Sequence, residues 1–248
     1  MSVGLLFDAT RCVGCGACSA ACKEQNQLPA TIEAVPTAYT WTVVQKRSGL
    51  NVRSLCMHCL EPTCVSVCPV AALQKSALGP VTYDGAKCIG CRYCIMACPF
   101  SVPKYQWDRA IPVVGKCVMC IDRVKAGLAT ACASVCPTGA TQYGERDALI
   151  AEARARIAAK PSGYVDHIYG IEEAGGTGVL MLSSVPFEQI GMKTNLPRQA
   201  LPILTWEVLS KVPVFVAVAA AGLYGVFWIT KRRDDVAAAE HSPEGHES

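Results

Sequence analysis

The stretch Cys88-Ile89-Gly90-Cys91-Arg92-Tyr93-Cys94-Ile95-Met96-Ala97-Cys98-Pro99 decides the fold. It places four cysteines at spacing C-x2-C-x2-C-x3-C and stops on a proline. Working outward, the same theme recurs three times. Cys12, Cys15, Cys18 and Cys22 repeat the spacing C-x2-C-x2-C-x3-C. Cys56, Cys59, Cys64 and Cys68 read C-x2-C-x4-C-x3-C before Pro69, and Cys117, Cys120, Cys132 and Cys136 read C-x2-C-x11-C-x3-C before Pro137. Four quartets at related spacing are an internal repeat, and a repeat governs the reading of everything between its copies.

The chain has 248 residues, 51% hydrophobic and 17% charged, with a formal charge of +3 from 23 basic and 20 acidic residues. That composition excludes a disordered chain and gives no electrostatic argument for nucleic acid. All 16 cysteines lie between Cys12 and Cys136, so a cysteine-bearing body precedes a cysteine-free remainder. Their share is below the roughly 8–10% of a short disulfide scaffold. No signal peptide is expected from the residues before Cys12, which contain no basic stretch followed by an apolar core.

The cysteine spacing speaks to chemistry directly. A cubane [4Fe–4S] cluster needs four thiolates on one small object, and C-x2-C-x2-C wraps three of its corners with one loop. In two-cluster ferredoxins the last cysteine of such a run serves the other cluster. The x3 step sets that cysteine one helical turn on. Zinc takes paired C-x2-C units and does not call for a third and fourth cysteine repeated in this way. Cysteines three apart in tight loops pair poorly as disulfides, and no C-x-x-C-H haem string occurs. A zinc-bound, membrane-tethered interaction module stays as the alternative of another class.

Between the quartets, Thr40 to Arg47, Ser48-Gly49 and Asn51-Val52-Arg53 predict a β-hairpin. Pro80 to Tyr83 predicts a short strand that turns at Asp84-Gly85. Each third cysteine introduces a helix of one or two turns, ended by proline where one follows. Asp147 to Lys160 predicts an amphipathic helix with Leu149, Ile150, Ala153 and Ile157 on one face and Asp147 as its N-cap. Val179 to Leu182 predicts a buried strand. Val212 to Thr230 is an uncharged run of 19 residues, roughly 28 Å as a helix and close to the ~30 Å hydrocarbon core of a bilayer. Trp206, Tyr224 and Trp228 are placed for its interfaces. The polar tail from Asp234 onward predicts a mobile terminus.

The four quartets, their order and the long gap in the last one resemble the iron–sulfur subunits of membrane-bound respiratory oxidoreductases. The resemblance is nearest to those of formate dehydrogenase and nickel–iron hydrogenase, in the superfamily of the dimethyl sulfoxide reductase iron–sulfur subunit. The strings that carry it are Cys56-Met57-His58-Cys59, Cys98-Pro99-Phe100, Lys116-Cys117 with Asp122-Arg123, and Cys136-Pro137-Thr138-Gly139-Ala140. It covers about residues 5–185.

The resemblance implies an α+β fold of two nested ferredoxin-like modules plus one C-terminal transmembrane helix. It implies a four-cluster domain over 1–145, an extension and linker over 146–211, a span at 212–230 and a polar tail over 231–248. It implies four [4Fe–4S] clusters: Cys12, Cys15, Cys18 and Cys136 on the first, Cys22, Cys117, Cys120 and Cys132 on the second. Cys56, Cys59, Cys64 and Cys98 hold the third, and Cys68, Cys88, Cys91 and Cys94 the fourth. The implied role is a non-catalytic electron-transfer subunit. Its implied partners are a catalytic subunit (a molybdenum or tungsten pterin formate dehydrogenase, or a nickel–iron hydrogenase) and a quinone-reactive integral membrane subunit, with no nucleic acid. A wire running from quinol to a dimethyl sulfoxide, polysulfide or nitrite reductase is the alternative direction.

Lys231, Arg232 and Arg233 after the span predict a cytoplasmic C-terminus, with the cluster domain on the periplasmic side of the inner membrane. His58, between two cysteines, is a packing or solvent-facing residue or a hydrogen-bond donor to a cluster. Asp122 and Arg123 predict a structural pair or a subunit contact. No Ser/His/Asp set or carboxylate dyad stands out, and Gly175-Gly176-Thr177-Gly178 lacks the strand–helix context of a nucleotide site.

Overall fold

A computed structural model of the protein describes residues 2–31, 33–109 and 113–240. The chain divides into two compact units, Met1–Pro202 and Ile203–Ser248.

The first unit begins with strand β1 (Val3–Asp8) and, beyond the first cysteine loop, helix α1 (Ala17–Gln25). The expected hairpin follows as β2 (Val43–Arg47) and β3 (Leu50–Ser54), antiparallel with Val44 opposite Arg53. Its turn residues Ser48 and Gly49 take φ of 47° and 80°, the two left-handed positions that a type I′ loop requires. The middle of the unit carries α2 (Thr63–Ser66), β4 (Leu73–Lys75), β5 (Val81–Tyr83), α3 (Tyr93–Ala97), β6 (Lys104–Tyr105) and β7 (Val114–Gly115). β4 pairs β5 and β6 pairs β7, both antiparallel. The unit then runs through α4 (Ile121–Lys125), α5 (Ala131–Ser134), β8 (Thr141–Glu145), α6 (Arg146–Ala159) and β9 (Val179–Leu182).

The sheet that ties the two ends of this unit together is β8-β1-β9, with β1 antiparallel to β8 and parallel to β9. A central strand covered on both faces carries a continuous apolar run in place of alternation, and Leu5-Leu6-Phe7 is that run. Leu5 and Phe7 pack with Val52, Met57, Tyr169 and Met181 on one face. Leu6 packs on the other with Leu180, Leu182 and, from α6, Leu149 and Ala153. A side chain at Gly4 has no room, because its Cβ would run into the carbonyl of Gly178.

Helix α6 has the expected apolar face, but its cap differs. Glu145 is the N-cap, without a side-chain hydrogen bond, and Asp147 lies inside the first turn. There its charge complements the helix dipole. The buried side of α6 also presents Arg156, whose Nη1 donates to Asp8 Oδ2 at 3.0 Å. Asp8 is fully buried and accepts from the Tyr164 hydroxyl at 2.9 Å and the Thr10 hydroxyl at 2.6 Å as well.

Helix α7 (Leu201–Leu209) begins at the end of the first unit, and the second unit carries the rest of it and helix α8 (Val212–Glu240). Helix α8 starts where the apolar run predicts, with Pro213 in its first turn, where proline is tolerated. It does not stop at Thr230. Lys231 to Glu240 contain neither glycine nor proline, so nothing breaks the helix. The predicted tail is therefore helical as far as Glu240, and residues 241–248 lie outside those described. Val214, Phe215 and Leu223 are 67%, 74% and 72% exposed, a bare apolar surface suited to lipid. The stretch Leu201–Glu240 is the one among the described residues long and apolar enough to cross a membrane, with a mean hydropathy of 2.1 over its most apolar 18 residues.

Candidate metal centres

All 16 cysteines are free thiols. The four loops that carry them share one backbone signature. The residue before each second cysteine is left-handed: Gly14, His58, Gly90 and Met119, with φ of 75°, 49°, 72° and 53°. Alternating right- and left-handed residues turn successive N–H groups to one side, which makes a nest for a negative object. Glycine supplies this geometry freely in two of the loops. His58 and Met119 adopt it at a cost of roughly 1–2 kcal/mol each, held by complete burial of both side chains.

The short helices distribute the sulfurs. Cys18, Cys64, Cys94 and Cys132 stand in the first turns of α1, α2, α3 and α5. Each quartet's last cysteine comes one turn later. α1 packs against α5 and α2 against α3, so each last cysteine is delivered toward the quartet of the neighbouring helix.

The thiols report their neighbours electrostatically. Burial pushes the Cys12 thiol up, and Cys18, Cys136 and Cys15 push it further. Those four cysteines line one small cavity together with Gly16 and Thr138. Cys22 is raised to about 12, first by burial and then by Cys132 and Cys120, against the lowering charge of Arg53. Cys59 is raised by burial and by Cys56, Cys98 and Cys64. Cys94 is raised to about 11 by burial and by Cys88, Cys91 and Cys68. Each set draws on two quartets. Neighbouring sets also touch one another in charge: Cys18 with Cys132, Cys117 with Cys56, and Cys64 with Cys94. The sets therefore follow one another in a row. Cys15 and Cys91, the exposed thiols, stand in the first and last of them.

Thiols gathered this closely, several of them buried, become thiolates together only when positive charge enters among them. The donor set thus fits a thiolate-bound metal cluster. A single tetrahedral zinc would draw four sulfurs to about 3.8 Å of each other. Among the described residues no three Cys, His, Asp or Glu side chains close on one ion in that way.

The surrounding polar groups also favour negative sulfur. Burial raises Cys136, but the N–H of Thr141, at 3.4 Å, and Thr138 bring its pKa below the usual thiol value. Cys132 is likewise held low against burial by Arg53 and the Thr130 hydroxyl. His58 is not solvent-facing: it is 1% exposed, and its Nδ1 accepts the Val81 N–H at 2.9 Å. That fixes the ring proton on Nε2, which has no protein acceptor among the described residues. Arg123 does not pair with Asp122. Its Nε donates to the Ala129 carbonyl at 2.8 Å and so ties down the long loop of the last quartet.

Two buried cations escaped the sequence reading. Arg53 sits in the hairpin and Lys116 beside Cys117, exposed by 1% and 2%. The sequence signal was a basic residue directly before a cysteine for Lys116, and none for Arg53.

Comparison with known proteins agrees with this donor set. Residues 5–25 match the 4Fe-4S binding domain family and residues 49–146 the 4Fe-4S dicluster domain family. The hydrogenase-2 operon protein HybA of Escherichia coli O157:H7 is 36% identical, over 77% of this chain and 73% of its own length. The formate dehydrogenase iron-sulfur subunit of Haemophilus influenzae is 33% identical, over 90% of this chain and 78% of its own. This chain belongs to the iron–sulfur subunit family of formate dehydrogenases and hydrogenases. A protein of Nitratidesulfovibrio vulgaris is 40% identical over 97% of the chain and 70% of its own length, so the similarity to known proteins also takes in the C-terminal helix. Within the family, 16 cysteines and two ferredoxin-type matches fit four [4Fe–4S] clusters.

Proposed function

We propose that the chain is the electron-transfer subunit of a membrane-bound respiratory formate dehydrogenase or nickel–iron hydrogenase. It passes electrons from a catalytic subunit through four clusters to a quinone-linked membrane subunit. Protein-held cubanes supply one-electron transfer at potentials set by burial, charge and hydrogen bonding. The chain's own residues hold and order them. Cys12, Cys15, Cys18 and Cys136 form the first site, and Cys22, Cys117, Cys120 and Cys132 the second. Cys56, Cys59, Cys64 and Cys98 form the third, and Cys68, Cys88, Cys91 and Cys94 the fourth.

The observation that carries this reading is the row of thiol sets, each assembled from two quartets, with an exposed thiol at either end. The pairing of the outer helices α1 and α5, and of the inner helices α2 and α3, supports two ferredoxin modules nested one inside the other. Helix α8 supplies the membrane anchor. The cluster unit faces the periplasm and the C-terminus the cytoplasm, since three basic residues follow the apolar run and Lys211 alone directly precedes it.

The test is affinity purification of the tagged chain from detergent-solubilised membranes. A co-purifying large subunit of the formate dehydrogenase or hydrogenase type, with clusters reduced by formate or by hydrogen, is the expected result. A complex whose clusters respond to neither, and are reduced only by quinol, would reverse the direction of the wire.

A further inference from the structure

Arg53 stands behind the first two thiol sets and is 1% exposed. A guanidinium keeps its charge at any working pH, and burying one without a counter-charge is strongly unfavourable. Yet no carboxylate pairs with it among the described residues. Its Nε donates to the Thr42 hydroxyl at 2.9 Å and its Nη1 to the Thr141 hydroxyl at 3.2 Å. Its charge faces sulfur: it acts on Cys132, Cys18 and Cys117. Thr141 extends the connection, because its own N–H donates to Cys136 Sγ at 3.4 Å. Two hydroxyls thus lock the guanidinium between a pair of ligand sets. The third set faces lysines instead: the charge of Lys116 acts on Cys64, and that of Lys75 on Cys59 and Cys56. Lys116 is equally buried, but its Nζ donates to the carbonyls of Val81 and Cys117 at 2.6 and 2.9 Å.

We propose that Arg53 is the positioning residue that raises the reduction potentials of the first and second clusters and leaves those of the third and fourth unaffected. The inference rests on the four-cluster reading above. Each transfer moves one electron in from a neighbouring donor and out to the next acceptor, with no proton and no bond made or broken. The reduced site is more negative by that electron. Arg53 stabilises the more negative form, because a fixed positive charge acts strongly where the dielectric is low. Two of the three sulfurs that its charge acts on, Cys132 and Cys117, belong to the second site and one, Cys18, to the first, so the shift of the second is the larger. The absence of a carboxylate partner follows from the same logic: one would cancel the field at the clusters.

The test is an EPR-monitored redox titration of the intact complex as wild type, Arg53→Lys and Arg53→Met, with iron counted first. Arg53→Met is expected to lower two of the four midpoints, one more than the other, and to leave two in place. Arg53→Lys, which keeps the charge and loses the planar fork, is expected to retain most of the wild-type values. Four unmoved midpoints, or four moved together, at full iron content would overturn the proposal. If Arg53→Met loses iron, Thr42→Val, which frees only Nε, is expected to show the same two-of-four pattern at smaller amplitude. Loss of iron in all three variants would make Arg53 a folding residue and would also overturn it. Failure of the four-cluster reading shows separately, as a low iron count in the wild type.

Discussion

Cys12 and Cys136 open and close the cysteine-bearing region, yet both line one small cavity. The cause is the sheet. β1 ends just before Cys12 and β8 begins just after Cys136, and the two strands pair with Phe7 opposite Thr141. Replacing Cys136 by Ser therefore disturbs the cluster site of Cys12, Cys15 and Cys18. EPR of the reduced complex checks this: the variant loses or alters one signal and keeps that of the site containing Cys117 and Cys120. Loss of the latter signal instead would show that Cys136 serves its own quartet.

The same sheet depends on a buried ion pair. Arg156→Met leaves the fully buried Asp8 without its cation, at a cost of about 3–5 kcal/mol. For a unit of this size that corresponds to a fall on the order of 10 °C in unfolding midpoint. Arg11 also approaches Asp8, at 3.6 Å, but is 46% exposed, so Arg11→Met shifts stability by no more than about 1 kcal/mol. Thermal bleaching of the visible absorbance distinguishes the two. Equal midpoints for both variants would contradict the assignment.

Local signals in the sequence made much of this structure legible. The Ser48-Gly49 turn, the buried Val179–Leu182 strand and the apolar run from Val212 each carry their own chemistry within a few residues. Cysteine spacing gave the iron–sulfur family for the same reason. Strand β1 was not legible, because Leu5-Leu6-Phe7 is short and its partners lie far along the chain in β8 and β9. The place of Asp147 within α6 and the true partner of Arg123 also depended on tertiary packing. So did Arg53: nothing in Val52-Arg53-Ser54 indicates that its counter-charges are thiols from other segments.

Membrane sidedness gives a prediction independent of cluster chemistry. Protease added to intact spheroplasts should digest the first unit and leave helix α8 with its basic end protected, following the positive-inside rule. Digestion of the first unit only in inside-out vesicles would place it in the cytoplasm and reverse the orientation.

The most direct test of the central claim is the iron and acid-labile sulfide content of the purified chain within its complex. Four complete cubanes predict about 16 of each per chain, with the broad brown absorbance of thiolate-bound clusters. A content of about 8 of each, or four zinc ions in a colourless protein, would contradict it.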